Sequence, residues 1–146
     1  MKLLLPLCIL LLFSSFTAPQ RKVVSEMTGV LGVLKSANMN STADQAILIN
    51  SSNYIIRKII VTNPSTSLTT AVGGFYAATG KTTAIVANTQ IYTALTGSTK
   101  FLDCTLAAIL GTDRRTETTL YLSLTTPQGG AATADIYIIG DSISGL

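Results

Sequence analysis

The stretch YIIRKIIVT, Tyr54 to Thr62, decides the fold class. It is dense in β-branched residues, which suit a pleated surface and cost χ1 freedom in a helix. Asn63-Pro64-Ser65 ends it with a turn signal. A second stretch, TTLYLSLT from Thr118 to Thr125, alternates with Leu120, Leu122 and Leu124 on one face. Pro127-Gln128-Gly129-Gly130 turns the chain, and Thr133 to Ile139 alternates again with Ile136 and Ile138 inward. Gly140-Asp141 reads as the stop.

Working outward, Ile47-Leu48-Ile49 begins the β pattern. Leu68 to Tyr76 carries Gly73-Gly74, which predicts a bulge or bend inside a strand pair. Gly80-Lys81 reads as a hairpin tip between that strand and Thr83–Ala87, and Thr89–Leu95 is a further strand candidate. Phe101 to Leu110 fits a strand or a helix. Gly111 to Glu117 is a polar loop tip. The sum is about seven or eight short strands with frequent turns, which predicts an all-β antiparallel β-sandwich or jelly roll.

Three segments follow. Residues 1–18 form an apolar leader, with Met1-Lys2 ahead of the run Leu3 to Phe13. The run has the shape of a signal peptide and is too short to span a bilayer. The alternative is a true start at Met27, with the upstream stretch over-called. Residues 19–44 are an arm or linker, rich in Gly, Ser, Asn and Thr from residue 28, with at most a first short strand. Residues 45–146 are the β-sandwich domain.

Composition excludes several kinds of chemistry. The 146 residues are 47% hydrophobic and 12% charged, with no histidine. Nucleophilic triads and the usual zinc sites lose their histidine. From Met27 onward seven basic residues face six acidic ones, so the body is near neutral and no nucleic-acid partner is expected. No catalytic, metal or cofactor residues are predicted, and no stable membrane span. Gly80-Lys81-Thr82 lacks the first glycine of a phosphate loop, since Phe75 holds its place. Gly140-Asp141-Ser142 resembles an esterase nucleophile block but stands near the C-terminus with no histidine to serve it. Cys104 between Leu102 and Leu106 reads as a small buried hydrophobe.

The contact candidates are few. Arg114 and Arg115 lie between Asp113 and Glu117 in the polar loop. Arg57 and Lys58 are adjacent in the strongest strand, so each face of the sheet receives one charge. They would protect an edge strand or bridge to Asp103, Asp135 or Asp141 of a neighbouring subunit. Tyr76 and Tyr92, with Tyr121 and Tyr137, are the rings a glycan site would need.

From Ala37 to Asp141 the chain resembles small Thr/Ala-rich β proteins encoded near virion genes of tailed phages and prophages. The stretches YIIRKIIVTNPSTSLTTAVGGFY, TAIVANTQIYTAL and LYLSLTTPQGGAATADIYIIGD carry that resemblance. It implies a non-enzymatic virion accessory, a head decoration or tail component. With it come a homo-oligomer, a trimer by analogy, and a larger protein assembly as partner. The alternative is a secreted or surface-displayed binding domain, adhesin-like or carbohydrate-binding.

Overall fold

A computed structural model describes residues 25–107 and 113–144 of the chain. The leader 1–18, the start of the arm and the end of the ambiguous 101–110 stretch lie outside the described residues. In chain order the strands are β1 (Ser25–Asn38), β2 (Gln45–Leu48), β3 (Tyr54–Thr62), β4 (Val72–Ala78), β5 (Thr82–Val86), β6 (Phe101–Asp103), β7 (Arg114–Arg115), β8 (Thr119–Thr126) and β9 (Thr133–Ser144). One sheet runs β1-β9-β3-β6, with β7 also on β3, and the other runs β2-β8-β4-β5. Every strand pair is antiparallel. The described residues are therefore all-β, as the alternation predicted.

The inward residues of both sheets meet in one core. Ile56, Ile59, Val61, Ile136 and Ile138 come from the first sheet, and Ile47, Phe75, Ile85, Leu120, Leu122 and Leu124 from the second. All are fully buried. Burying such side chains contributes about 1.5–3 kcal/mol each, which is what overcomes the entropy of ordering a low-charge chain.

The sheet edges are tied to each other. Gly32 bridges Ile49, and the Asn50 N–H donates to the Leu31 carbonyl at 2.8 Å, joining β1 to the end of β2. On the far side Val86 bridges Leu106 and the Ala107 N–H donates to the Ile85 carbonyl at 3.0 Å.

Several expectations are corrected. Residues 25–38 of the arm form a fourteen-residue strand, the most heavily paired with β9. Register shifts between Val30 and Gly32 and between Leu34 and Ala37 interrupt its alternation. Ser36, with φ 51°, sits at the second shift. A period of two is then unreadable in the sequence. β9 continues past Gly140-Asp141 to Ser144, because Asp141 finds partners on the neighbouring strands. Thr89–Leu95 is not a strand. It makes an isolated bridge, Ile91 to Val72, and buries Tyr92 and Leu95. Gly73-Gly74 does mark irregular pairing, with shifts at Val72/Gly73 and Phe75/Tyr76. A Cβ on Gly74 would meet the carbonyl oxygens of Val86 and Ala87, so the chain after β5 crosses here only because no side chain is present. Gly80 and Lys81 form the hairpin tip with φ of 71° and 60°.

Candidate functional site

The outer face of the β1-β9-β3-β6 sheet collects most of the charged residues. On β9, alternation sends Ala134, Ile136 and Ile138 inward and leaves Asp135, Tyr137, Ile139 and Asp141 outward. Pairing then sets their neighbours. Tyr137 lies between Val33 and Ile60, and Ile139 lies between Val30 and Lys58. Val30 and Val33 are exposed, while Ile60, Tyr137 and Ile139 are half-buried. These five make a continuous apolar patch over three strands.

Ion pairs frame that patch. Arg57 Nε donates to Asp141 at 2.5 Å, and the Thr28 hydroxyl donates to the same carboxylate. Lys58 pairs with Asp103 at 3.2 Å. Lys35 pairs with Asp135 at 2.9 Å, donates to the Tyr137 hydroxyl and lies 4.5 Å from that ring's centroid. Asp135 also accepts from the Ser36 N–H at 3.0 Å and from Asn63 at 3.2 Å.

Arg57 and Lys58 depart from expectation. A bulge between Ile56 and Lys58 lets Ile56 face Gly140 and Lys58 face Ile139, so both cations point outward. β3 is not an edge strand either, since β9 flanks one side and β6 and β7 the other. Asp103 and Asp141 are the expected partners, but they belong to the same chain.

Of the remaining candidates only Arg114 joins this face, since it lies opposite Ile55, whose other neighbour is Asp141. Arg115 is almost buried, pairs with Glu117 at 2.7 Å and lies opposite Tyr54 on β3, so it is a structural residue. The Tyr54 hydroxyl donates to the Glu117 carbonyl at 2.8 Å beside it. Arg114 is exposed on β7. Tyr76 and Tyr92 are buried and offer no surface to a partner. The Tyr92 hydroxyl donates to the Gly73 carbonyl at 3.2 Å. The Tyr76 hydroxyl has no hydrogen-bond partner among the described residues. Tyr121 and Tyr137 are half-buried on β8 and β9, in different sheets, so the four rings build no common platform.

Asp103, Glu117, Asp135 and Asp141 are each held by a separate cation, Lys58, Arg115, Lys35 and Arg57 in turn. Among the described residues no three His, Cys, Asp or Glu side chains come together. No helix there is long and apolar enough to cross a membrane. A surface cavity of about 350 Å³ is lined by Ala87, Thr89, Gln90, Ile91, Thr105, Leu106 and Ala107 and has no ionisable wall. Gln90 there already accepts from the Thr105 N–H at 3.1 Å and donates to the Ile91 carbonyl at 2.9 Å.

Electrostatics follow the geometry. The Thr28 hydroxyl and then Arg57 hold Asp141 below the usual 3.8. The Ser36 N–H and then Lys35 do so for Asp135. Away from this face, the Gly80 N–H and Ser123 lower Asp44. Tyr137, then Asp135, raise Lys35. Burial pushes the Cys104 thiol up to about 12 from 9.0, and burial with the nearby Glu117 charge pushes Tyr54 to about 12 from 10.0.

A pH profile is therefore expected. The three lowered carboxylates contribute stability that is complete above 3.8 and is lost as pH falls through their folded values. The raised thiol and phenol act at the other end. From 9.0 the unfolded chain loses protons that the folded chain keeps, so stability declines as pH rises. Thermal melts should show a plateau between these limits, and a midpoint that climbs steadily from pH 4 to pH 8 would contradict it.

Cys104, 4% exposed, is expected to react with a thiol reagent only through opening of the fold. Labelling should be at least about a hundredfold slower in native protein than in denaturant. Equal rates would place the sulfur at the surface.

Compared with family models, curated proteins and solved structures, the chain matches none.

Proposed function

We propose that the chain is a jelly-roll assembly protein, an accessory of a phage virion that works by packing against copies of itself and a larger particle. The strand order carries this reading. With the short β7 set aside, the first strand pairs with the last (β1 with β9), the second with the next to last (β2 with β8), then β3 with β6, and β4 with β5. That nesting is a long hairpin rolled across two sheets, the double Greek key used by capsid and lectin domains. The step from fold to role is an analogy. It is joined to the Thr/Ala-rich β resemblance and to a face of low net charge.

The same strand order is shared by lectins, so the glycan reading turns on its rings. Two of the four candidates are buried and the other two lie in different sheets. Nothing in the site favours it.

The test is to purify particles from the source that carries the gene and quantify this chain by mass spectrometry. A fixed copy number per particle is expected, surviving a salt wash. Its absence from particles, with the chain recovered in the medium cut before Pro19, would overturn the virion role.

A further inference from the structure

We infer that the outer face of the β1-β9-β3-β6 sheet is a self-association surface, whose partner is the same face of a second copy of this chain. The inference rests on the assembly reading and adds the surface that performs it. Val30, Val33, Ile60, Tyr137 and Ile139 form an apolar centre, with Val30 53% and Val33 39% exposed at its β1 side. Polar groups border the centre on three sides. Lys35 and Asp135 lie at one end, and Thr28, Asp141 and Arg57 at the other. Lys58 and Asp103 lie toward β6. An apolar centre with a polar rim is the anatomy of a protein interface.

Charge selects the partner. Lys35, Arg57 and Lys58 are matched within the chain by Asp135, Asp141 and Asp103. Arg114, at the β7 corner of the face, is one further cation, so a polyanion or a strongly charged protein finds little surplus here to bind. A second copy meets a face of low net charge, and the three ion pairs keep their counter-ions when the two close together. The rim also keeps its own hydrogen bonds, which limits the cost of desolvating it.

Size agrees. Three strands spaced about 4.8 Å apart along the run from Thr133 to Ile143 at about 3.4 Å per residue, with the short β6 and β7 beside them, give a face of roughly 550 Å² before side-chain relief. A standard interface takes about 800 Å² from each partner.

The experiment is sedimentation velocity on the full chain over a concentration series. It compares wild type with Ile139→Arg and Val30→Arg on this face and with Ala46→Arg on β2 of the other sheet. Val30 is an exposed edge position, so Val30→Arg keeps the test alive if Ile139→Arg fails to fold, which circular dichroism will show. Wild type and Ala46→Arg should associate alike, and each variant on the face should raise Kd about tenfold or more. Association should also persist between about 0.1 and 1 M salt, because the centre is apolar. Oligomers equally sensitive to Ala46→Arg, or insensitive to both face variants, would overturn this surface and leave the assembly reading standing. A wild-type monomer that still binds particles would do the same. A monomer absent from particles would overturn both.

Discussion

Gly140→Ala is expected to destabilise the fold by about 3 kcal/mol or more and to lower Tm by roughly 10 °C. Gly140 lies in β9 between Gly29 of β1 and Ile56 of β3, where the β3 bulge begins. A Cβ there would fall inside van der Waals contact of the Ile55 carbonyl oxygen. It would also stand 2.9 Å from the Ile55 carbonyl carbon and from Leu31 Cδ1. Two of these atoms are backbone in a central strand, so no rotamer change relieves the clash. The chain must separate β9 from β3 or give up ladder hydrogen bonds. Gly97→Ala is the control, since a Cβ at Gly97 meets nothing within 4 Å. It should change stability by less than about 0.5 kcal/mol. Urea unfolding of the pair decides the matter, and similar midpoints would mean that the three strands are not packed as described.

The second large effect falls in the other sheet. Phe75→Ala should cost about 3–5 kcal/mol, from lost transfer energy plus the cavity left behind. Phe75 is fully buried and lies opposite Leu122 of β8 and Val86 of β5, so the void would open inside the core. The walls belong to paired strands and cannot collapse freely. Against a total stability of 5–15 kcal/mol for an ordinary domain, such a loss leaves a chain partly unfolded near 37 °C. Phe75→Leu keeps most of the volume and should cost less than about 1.5 kcal/mol. Denaturation curves in which both variants lose the same amount would show that volume is not what Phe75 supplies.

Both effects bear on assembly. The proposed contact face is carried on β9 and β3, so Gly140→Ala disturbs the face as well as the fold. Phe75→Ala acts on the opposite sheet and reaches the face only through global unfolding. Ile139→Arg changes the face with the core untouched. The three variants separate stability from association.

Strands with β-branched density or regular alternation are legible from residues alone. β3, β8 and the first half of β9 follow from β-branched density and from leucine or isoleucine at every second position. The hairpin at Gly80-Lys81 followed from turn chemistry. The candidate face was half legible. Asp135, Tyr137, Ile139 and Asp141 alternate openly, and of the three acids expected to bridge Arg57 and Lys58 between subunits, Asp103 and Asp141 do so within the chain while Asp135 pairs with Lys35. Only pairing brings Val30, Val33 and Ile60 beside Tyr137 and Ile139, so their place on one face has no local signal.

By itself the sequence determined the all-β class, the absence of histidine chemistry and the neutrality of the body, because these depend on residue type and local period. The tertiary structure decided the rest. It turned the arm into β1, carried β9 beyond Gly140, put Arg57 and Lys58 on one face, and sent Tyr76 and Tyr92 into the interior. Each of these depends on a bulge or on a partner far along the chain. A bulge shifts the two-residue period by one position, and a distant partner leaves no local trace, so neither is written in any short stretch of residues.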